Sequence, residues 1–243
     1  MTVKEFKFQL ALGTISFNTL RKIAEKSTSK DILTTLSKYK DYYFRSCVAR
    51  NPSTPIKVLA ILSTDKEVDV RKWVASNPNT SIETLIKLSK DKDYEVRIQL
   101  ARNPNTPVDI LITLSNDKGD YIRRGVAANP NTPIDILAQL ATDVNEFVRT
   151  RVAENPNTPI ETLTKLSEDE DYYIRRHVAE NSNTPIDILT ALSKDKEWNV
   201  RYSVAENNNT PTEVLTKLSN DKNRYVRENA KKFLEIRSKE IKV

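Results

Sequence analysis

The sequence predicts an all-α solenoid, and three recurring residues support this prediction. An Asn returns every 26 residues without insertion or deletion, and so do an Asp and an Arg that follows an apolar residue. The Asn positions are Asn51, Asn77, Asn103, Asn129, Asn155, Asn181 and Asn207. A fixed period of this size is typical of solenoids, in which each unit buries its apolar face by stacking on its neighbours.

The composition fits a thin solenoid better than a globule. Hydrophobic residues make up 38% of the chain and aromatic residues 7%, whereas 30% of the residues are charged. Three glycines are too few for the many tight turns of a β-rich fold. Most of the eleven prolines occupy a fixed position in the repeat, so they mark helix boundaries rather than disorder.

Each repeat is expected to form two short helices, as residues 155–180 illustrate. Thr158 is predicted to be the N-cap of the first helix, Pro159 its first residue, and Glu161 the acid that completes a capping box. Asp169 is predicted to start and cap the second helix. The expected apolar faces comprise Ile160, Leu163 and Leu166 in the first helix and Ile174 and Val178 in the second.

The repeats divide the chain into three parts. Eight repeats are predicted over residues 27–234, between an N-terminal cap at 1–26 and a charged C-terminal tail at 235–243 that extends the last helix. The first repeat keeps the apolar frame but lacks the usual Asn-Pro start. Atypical, charged ends are what a solenoid needs to stop stacking and stay in solution.

The consensus unit NPNTPxxxLxxLxxDxxxxVRxxVAxN resembles the leucine-rich repeat variant family, which is close in shape to HEAT repeats. The resemblance implies short α-helices alternating with 3₁₀-helices in a right-handed, HEAT-like superhelix. Some members of the family carry a cysteine-rich iron–sulfur segment before the repeats. Only Cys47 is present here, so no cofactor is expected. HEAT-like repeats also occur in DNA alkylpurine glycosylases, but no motif specific to those enzymes is found.

The recurring polar residues are interpreted as structural, and no enzyme activity is expected. Asp169 and Arg175 are close enough in sequence to pair within a repeat or to bridge to the next one, and the repeated Asn is expected to satisfy backbone groups between repeats. His177 is the single histidine, which excludes a metal site built on several histidines. Cys47 is expected to be a small packed residue rather than a nucleophile.

The net charge of +6 is distributed unevenly. Residues 1–50 carry ten Lys/Arg against four Asp/Glu, residues 222–243 eight against three, and residues 51–221 only 21 against 26. A nucleic-acid-binding protein would more often carry basic charge along one whole face. Because the sequence also contains one cysteine and no long apolar run, a cytoplasmic protein without a membrane segment is expected.

Partner recognition is expected in columns that vary while the framework repeats. With the apolar residues of the second helix turned inward, the residues two before and one after the repeated Arg point outward. The candidate partner-binding residues in these columns are Tyr121, Phe147, Tyr173, Arg124, Arg176, Tyr202 and Lys72. Aromatic residues and Arg are enriched in protein interfaces. A second interpretation is that the rings pack between adjacent repeats and only seal the stack.

The leading functional hypothesis is a non-enzymatic scaffold that binds a protein or peptide along the surface of the second helices. The alternative is nucleic-acid binding, in which Lys72, Arg124, Arg151 and Arg176 contact phosphates and the rings stack on bases. A row of acidic residues beside these arginines, ending in Glu206, argues against the alternative. No small-molecule substrate is indicated by the sequence.

Overall fold

The computed structural model describes residues 2–240, and every helix or strand assigned within that range is an α-helix. The chain divides into two compact units, Met1–Asn131 and Thr132–Val243, which are described in turn. The predicted charged tail begins within the last helix, and its residues 241–243 lie outside the described residues.

The helices follow one another with short connections in both units. The first unit contains α1 (Val3–Leu12), α2 (Phe17–Lys26), α3 (Lys30–Leu36), α4 (Tyr42–Arg50), α5 (Ile56–Leu62), α6 (Val68–Ser76), α7 (Ile82–Leu88), α8 (Tyr94–Arg102), α9 (Val108–Leu114) and α10 (Asp120–Ala128). The second contains α11 (Ile134–Leu140), α12 (Glu146–Glu154), α13 (Ile160–Leu166), α14 (Tyr172–Glu180), α15 (Ile186–Leu192), α16 (Trp198–Glu206), α17 (Thr212–Leu218) and α18 (Arg224–Glu240).

From α3 onward the helices alternate between two lengths, as the repeat predicts. The first helix of each repeat has 7 residues, and the second has 9 until the longer α18. The second helices pack on one another in sequence, α4 on α6, α6 on α8 and α8 on α10 in the first unit, and α12 on α14, α14 on α16 and α16 on α18 in the second. The predicted all-α repeat solenoid is confirmed.

One detail of the expected fold differs, because both helices of each repeat are α-helices and neither is 3₁₀. In α5 the carbonyl of Pro55 accepts an i→i+4 bond from Leu59 N at 3.0 Å, and Ser63 N closes the last turn on Leu59 O at 2.9 Å. A 3₁₀ contact, from Val58 N to Pro55 O at 2.9 Å, is confined to the first turn of α5. Seven residues are enough to close α-helical bonds, whose geometry is better than that of longer 3₁₀ runs.

The predicted capping box at the first helix is wrong. The carbonyl of Pro159 accepts from Leu163 N at 3.0 Å, so Pro159 is the N-cap of α13 and no side chain caps this end. Thr158 is buried, and its hydroxyl donates to Val152 O at 2.5 Å. The threonine thus satisfies a carbonyl at the end of α12 rather than an N–H group of the next helix. Glu161 falls one position too early for a capping box.

The buried face of the first helix also differs from the prediction by one residue. Leu163 and Leu166 are buried in α13 as expected, but the third buried residue is Thr162. Ile160, which was expected in the core, is 55% exposed. Helical side chains lean toward the N-terminus, so the side chain of the first residue extends past the packed layer. In α14 the apolar residues are buried as the pattern predicts.

The repeated Asn joins successive repeats through backbone groups, which confirms its predicted role. Asn181 is buried, and its Nδ2 donates to Ala153 O at 2.8 Å and to Asn155 O at 3.1 Å. Its Oδ1 accepts from Asn183 N at 2.9 Å. Nearly all buried backbone groups need such partners, and one side chain here supplies three. The corresponding bonds recur in the first unit, from Asn51, Asn77, Asn103 and Asn129.

The repeated Arg and Asp form a second connection between repeats. Arg175 Nε donates to Asp195 Oδ2 at 2.6 Å and Nη2 to Oδ1 at 3.1 Å, a bidentate pair across one repeat boundary. Arg175 Nη1 also donates to the carbonyls of Asp169 and Glu170 at 2.7 and 3.0 Å. Burial raises the pKa of Asp195, but the bonds from Arg175 and from the Glu197 amide lower it below its ordinary value. The bridging interpretation is confirmed.

Asp169 does not cap the second helix, contrary to expectation. Its Oδ2 accepts from Arg149 Nε at 2.7 Å, and its Oδ1 accepts from Asp171 N at 3.0 Å. The N-cap of α14 is Asp171, whose Oδ1 accepts from Tyr173 N at 2.8 Å. The charge of Asp169 is therefore used to hold the preceding repeat, and a second Asp performs the capping.

Candidate functional site

The predicted site residues of the first unit lie on the second helices. Tyr121 on α10 is 54% exposed, and the guanidinium of Arg124 lies 5.2 Å from its ring centroid. Lys72 on α6 is held between two carboxylates, with Nζ 2.9 Å from Glu95 Oε2 and 2.9 Å from Asp69 Oδ1. These hydrogen bonds, first that to Glu95 and then that to Asp69, raise the pKa of Lys72. The charge of Lys72 is therefore already balanced within the protein.

The predicted residues of the second unit lie on three successive second helices. Phe147 on α12 and Tyr173 on α14 are 51% and 45% exposed, so these rings face solvent rather than filling the space between repeats. The guanidinium of Arg176 lies 5.7 Å from the ring centroid of Tyr173. Tyr202 is half-buried on α16. The alternative in which the rings serve only to seal the stack is not supported by these exposures.

A cleft of about 320 Å³ opens on the surface of the second unit. Its lining comprises Arg176 of α14, Trp198, Asn199 and Tyr202 of α16, and Tyr225 of α18. The rings of Trp198 and Tyr225 have centroids 5.7 Å apart and planes inclined by 33°. Tyr202 stands nearly perpendicular to Trp198, at 85° with a centroid distance of 6.4 Å. The three rings thus form two walls of the cleft.

Sequence reasoning placed Arg176 and Tyr202 among the site residues but missed the other three lining residues. Trp198 lies three residues before the repeated Arg, outside the two columns that were predicted to carry the binding residues. That column is aromatic at Tyr42, Tyr94, Tyr172 and Trp198, which is the signal that could have identified it. Asn199 and Tyr225 belong to the column two residues before the repeated Arg, in which the prediction selects the three consecutive rings Tyr121, Phe147 and Tyr173.

A polar cluster borders the cleft on the side of α14. Glu180 accepts from Arg176 Nε at 2.8 Å and from Ser203 Oγ at 2.9 Å through Oε1, while Oε2 lies 2.9 Å from His177 Nδ1. Glu154 Oε1 lies 3.5 Å from His177 Nε2. Burial raises the pKa of Glu180, but the hydrogen bonds from His177, Arg176 and Ser203 outweigh it and lower that pKa to about 2. Glu180 therefore stays ionised and balances the charge of Arg176.

An exposed apolar row on the first helices was not anticipated. Its members in the second unit are Ile134, Ile160 and Ile186, each at the first helical position. Ile160 and Ile186 also line a groove of about 680 Å³, together with Pro185 and Asn183. Exposed apolar rows of this kind are common at interaction surfaces. The error over Ile160 hid this row from sequence reasoning.

Two comparisons identify the type of repeat. The family model for the leucine rich repeat variant matches residues 146–171, the length of one repeat. A solved structure described as a leucine-rich repeat variant with a novel repetitive protein structural motif is 26% identical over 90% of this chain and 83% of that one, with a TM-score of 0.61. One repeat of the chain therefore matches the leucine-rich repeat variant model, and the structure is similar to a solved leucine-rich repeat variant.

Other solved structures are less similar to this chain. An engineered protein is 17% identical over 89% of this chain and 82% of its own, with a TM-score of 0.47. An archaeal HEAT-like repeats protein from Thermococcus onnurineus NA1 is 14% identical over 91% of this chain and 96% of its own, with a TM-score of 0.30. No curated protein matches the chain.

The repeat framework and the candidate site use different residues. The framework employs the recurring Asn, Arg and Asp, whereas the cleft employs residues that change from repeat to repeat. Within residues 2–240, no three His, Cys, Asp or Glu side chains are grouped so that they could hold a metal ion. None of the helices in the same range combines the length and apolar character that crossing a membrane requires.

Proposed function

We propose that this leucine-rich repeat variant protein is a non-enzymatic scaffold that binds another protein or peptide through the exposed face of its second helices. The observation that carries the proposal is the cleft lined by Trp198, Tyr202 and Tyr225. Large rings with solvent-exposed faces, set beside an Arg, are the side chains that contribute most to binding in protein interfaces. A cytoplasmic location belongs to the same proposal.

The internal bonding of the repeats supports this proposal. The recurring Asn and Arg side chains are used to hold neighbouring repeats, so they are not available to a ligand. The residues of the variable columns project from the same helices into solvent, as Tyr121 does in the first unit and Tyr173 in the second. A fixed framework with variable exposed residues suits recognition of a partner along the surface of a repeat protein.

The charge arrangement favours a protein partner over a nucleic acid. Lys72 contacts two carboxylates, Arg151 Nη1 contacts Glu154 Oε2 at 2.5 Å, and Arg176 Nε contacts Glu180 Oε1 at 2.8 Å. Each of these cations would have to leave a carboxylate, or share it, in order to bind a phosphate. Nucleic-acid binding therefore remains an outcome of the experiment rather than a second proposal.

The experiment is affinity capture from lysate of the native cells with three baits. The wild type is compared with a Trp198→Ala/Tyr225→Ala variant and with Tyr94→Ala, a matched control in which an exposed tyrosine is removed from α8. Circular dichroism confirms that all three baits are folded. We expect a protein partner that is captured by the wild type and the control and is lost from the cleft variant.

Nuclease treatment of the lysate separates the remaining outcomes. A partner whose recovery depends on nuclease-sensitive material would overturn the proposal in favour of nucleic-acid binding. A partner captured equally by all three folded baits would also overturn the assignment of the cleft, because its rings would then contribute nothing to recognition.

A further inference from the structure

The rings of the cleft differ from Trp73, Tyr121 and Tyr173 in that no cation of the protein lies over them. In the first unit, the guanidinium of Arg50 lies 4.8 Å from the ring centroid of Trp73. In the second, Arg176 covers Tyr173. Over Trp198, Tyr202 and Tyr225 no Lys or Arg of the described residues is placed in this way. The electron-rich faces of three grouped rings are therefore open to a cation from another molecule.

An exposed carboxylate that forms no ion pair among the described residues, Glu206, lies beside the cleft, one helical turn after Tyr202 and within electrostatic reach of Arg176. Glu206 is exposed at the end of α16 and interacts with the hydroxyl of Tyr202. Burial, followed by this carboxylate, raises the pKa of the Tyr202 phenol. Between residues 2 and 240, no Lys, Arg or His forms an ion pair with Glu206. Two carboxylates, Glu180 and Glu206, thus act on the single lining cation Arg176, and only Glu180 pairs with it, so these three groups together carry one excess negative charge, which favours a cationic ligand.

We propose that this cleft binds an arginine side chain of the partner protein, with the guanidinium against the rings of Trp198 and Tyr225 and the carboxylate of Glu206 as its counter-ion. The inference rests on the proposed function, because it specifies the chemistry of the partner. A guanidinium is planar, stacks on aromatic faces and donates in a fork that matches a carboxylate. The side-chain amide of Asn199, which also lines the cleft, supplies a further acceptor.

Lysine and anionic groups fit this cleft less well. An ammonium is compact and strongly hydrated, so it gives up more hydration and covers less of the two ring faces. A carboxylate or phosphate would approach Glu206 and Glu180 and find a guanidinium whose charge is already balanced. The ring planes of Trp198 and Tyr225 are inclined by 33°, and those of Trp198 and Tyr202 by 85°. A flat group can therefore lie against the face of one ring and contact the edge of a second.

The test follows Trp198 fluorescence during peptide titration. The chain has two tryptophans, so a Trp73→Phe background leaves Trp198 as the sole indole reporter. The probe is the peptide acetyl-Ser-Gly-Arg-Gly-Ser-amide, and the matched control carries citrulline, which keeps the shape of arginine without its charge. We expect a saturable fluorescence change with the arginine peptide and an affinity at least about tenfold lower for the citrulline peptide.

Variants of the protein locate the effect. Glu206→Gln should lower the affinity for the arginine peptide by about fivefold to tenfold. Glu168→Gln, which removes an exposed carboxylate after α13, should leave that affinity unchanged. Equal binding of the arginine and citrulline peptides, or equal affinities of Glu206→Gln and Glu168→Gln, would overturn the inference. So would preferential binding of a ten-residue oligothymidylate with a steep salt dependence.

The two proposals fail in different ways. If a partner is still lost from the Trp198→Ala/Tyr225→Ala bait while the arginine peptide does not bind, the inference about arginine is wrong and the scaffold function stands. If the arginine peptide binds but capture from lysate does not depend on the cleft, the chemistry of the cleft is supported and its role in the scaffold is refuted.

Discussion

Replacing Asn181 with alanine should destabilise the second unit far more than the same substitution at Asn183. The side chain of Asn181 is buried and forms hydrogen bonds with Ala153 O, Asn155 O and Asn183 N at 2.8, 3.1 and 2.9 Å. Alanine leaves all three backbone groups without these partners. The two carbonyls are buried and lie in the preceding repeat, so the loss affects the contact between repeats.

The magnitude follows from the hydrogen bonds that each backbone group loses and from those that it keeps. A buried polar group that loses its partner costs about 1–3 kcal/mol, which applies to Ala153 O. Asn155 O keeps the bond from Thr158 N at 3.1 Å and loses only one hydrogen bond, about 1 kcal/mol, so the expected total is about 2–4 kcal/mol. The N–H group of Asn183 adds less, because it is only part-buried and water can replace the lost acceptor. Asn183→Ala removes one exposed bond, to Pro156 O at 2.5 Å, and should cost less than about 1 kcal/mol.

The variant Asn181→Asp distinguishes the effect of hydrogen bonding from that of packing, because the Asp side chain has nearly the same shape as the Asn side chain. At neutral pH the carboxylate would face two carbonyl oxygens instead of donating to them, so the loss should be at least as large as for alanine. Protonation of the carboxyl restores one donor, and part of the lost stability should therefore return as the pH falls through the pKa of the introduced group.

The assay is urea denaturation in the Trp73→Phe background, where Trp198 fluorescence reports on the second unit. Repeat proteins often unfold in more than one step, so transition midpoints are compared rather than extrapolated free energies. With a slope of about 1–3 kcal/mol per molar urea, the predicted loss should lower the midpoint by about 1 M or more. A midpoint for Asn181→Ala equal to that of Asn183→Ala would refute the reasoning.

Three further predictions concern the ion pairs and one close contact. Arg175→Met should cost about 3–5 kcal/mol in the same urea assay, because it leaves the carboxylate of Asp195 buried and unpaired. The pKa of Glu180 is lowered from 4.5 to about 2. The ionised carboxylate therefore stabilises the folded state fully above pH 4.5, and this contribution is lost as the pH falls toward 2. Glu180→Gln should accordingly flatten the curve of thermal stability against pH in that window. Gly125→Ala should lower the melting temperature, because its Cβ would lie 2.8 Å from Ala101 Cβ and overpacking of about 1–3 kcal/mol exceeds the helix propensity gain of about 1.

The fold was largely predictable because each structural residue occurs several times in the same register. A substitution in one repeat does not obscure the pattern, because the other repeats keep it. The period of 26 residues therefore indicates the two-helix unit without knowledge of any contact. The bridging role of Arg175 and Asp195 could be inferred as one of two possibilities. Only the distance of 2.6 Å between them selects the bridge to the next repeat.

The errors at helix boundaries have a common physical origin. Sequence rules assign Thr158 to the helix that follows it, whereas the folded repeat uses its hydroxyl for the carbonyl of Val152 behind it. Local rules cannot weigh a partner that becomes available only when the chain turns back on itself. The predicted buried face of α13 is also displaced by one residue, so Ile160 was expected in the core although its side chain is exposed to solvent.

The candidate site was only half predictable, for the opposite reason. Its residues differ from one repeat to the next, so periodicity indicates at most that a column is often aromatic, as at Tyr172 and Trp198, and not which side chains lie together. Arg176 and Tyr202 were found because they lie in outward columns, but the grouping with Trp198 and Tyr225 depends on the packing of α14, α16 and α18. A column of residue types indicates which side chains face solvent, and only the folded chain determines which of them share a cleft.

The framework and the cleft are nevertheless coupled through α16. Arg201 bonds with the carbonyls of Asp195 and Lys196 and with the carboxylate of Asp221, and Asn207 holds the other end of the helix to the preceding repeat. Trp198, Asn199 and Tyr202 project from this fixed helix. Rings held on a rigid element lose little freedom when a ligand binds, which reduces the entropic cost of recognition. The repeated residues therefore contribute to binding without touching the ligand, and the variable residues can change without loosening the stack.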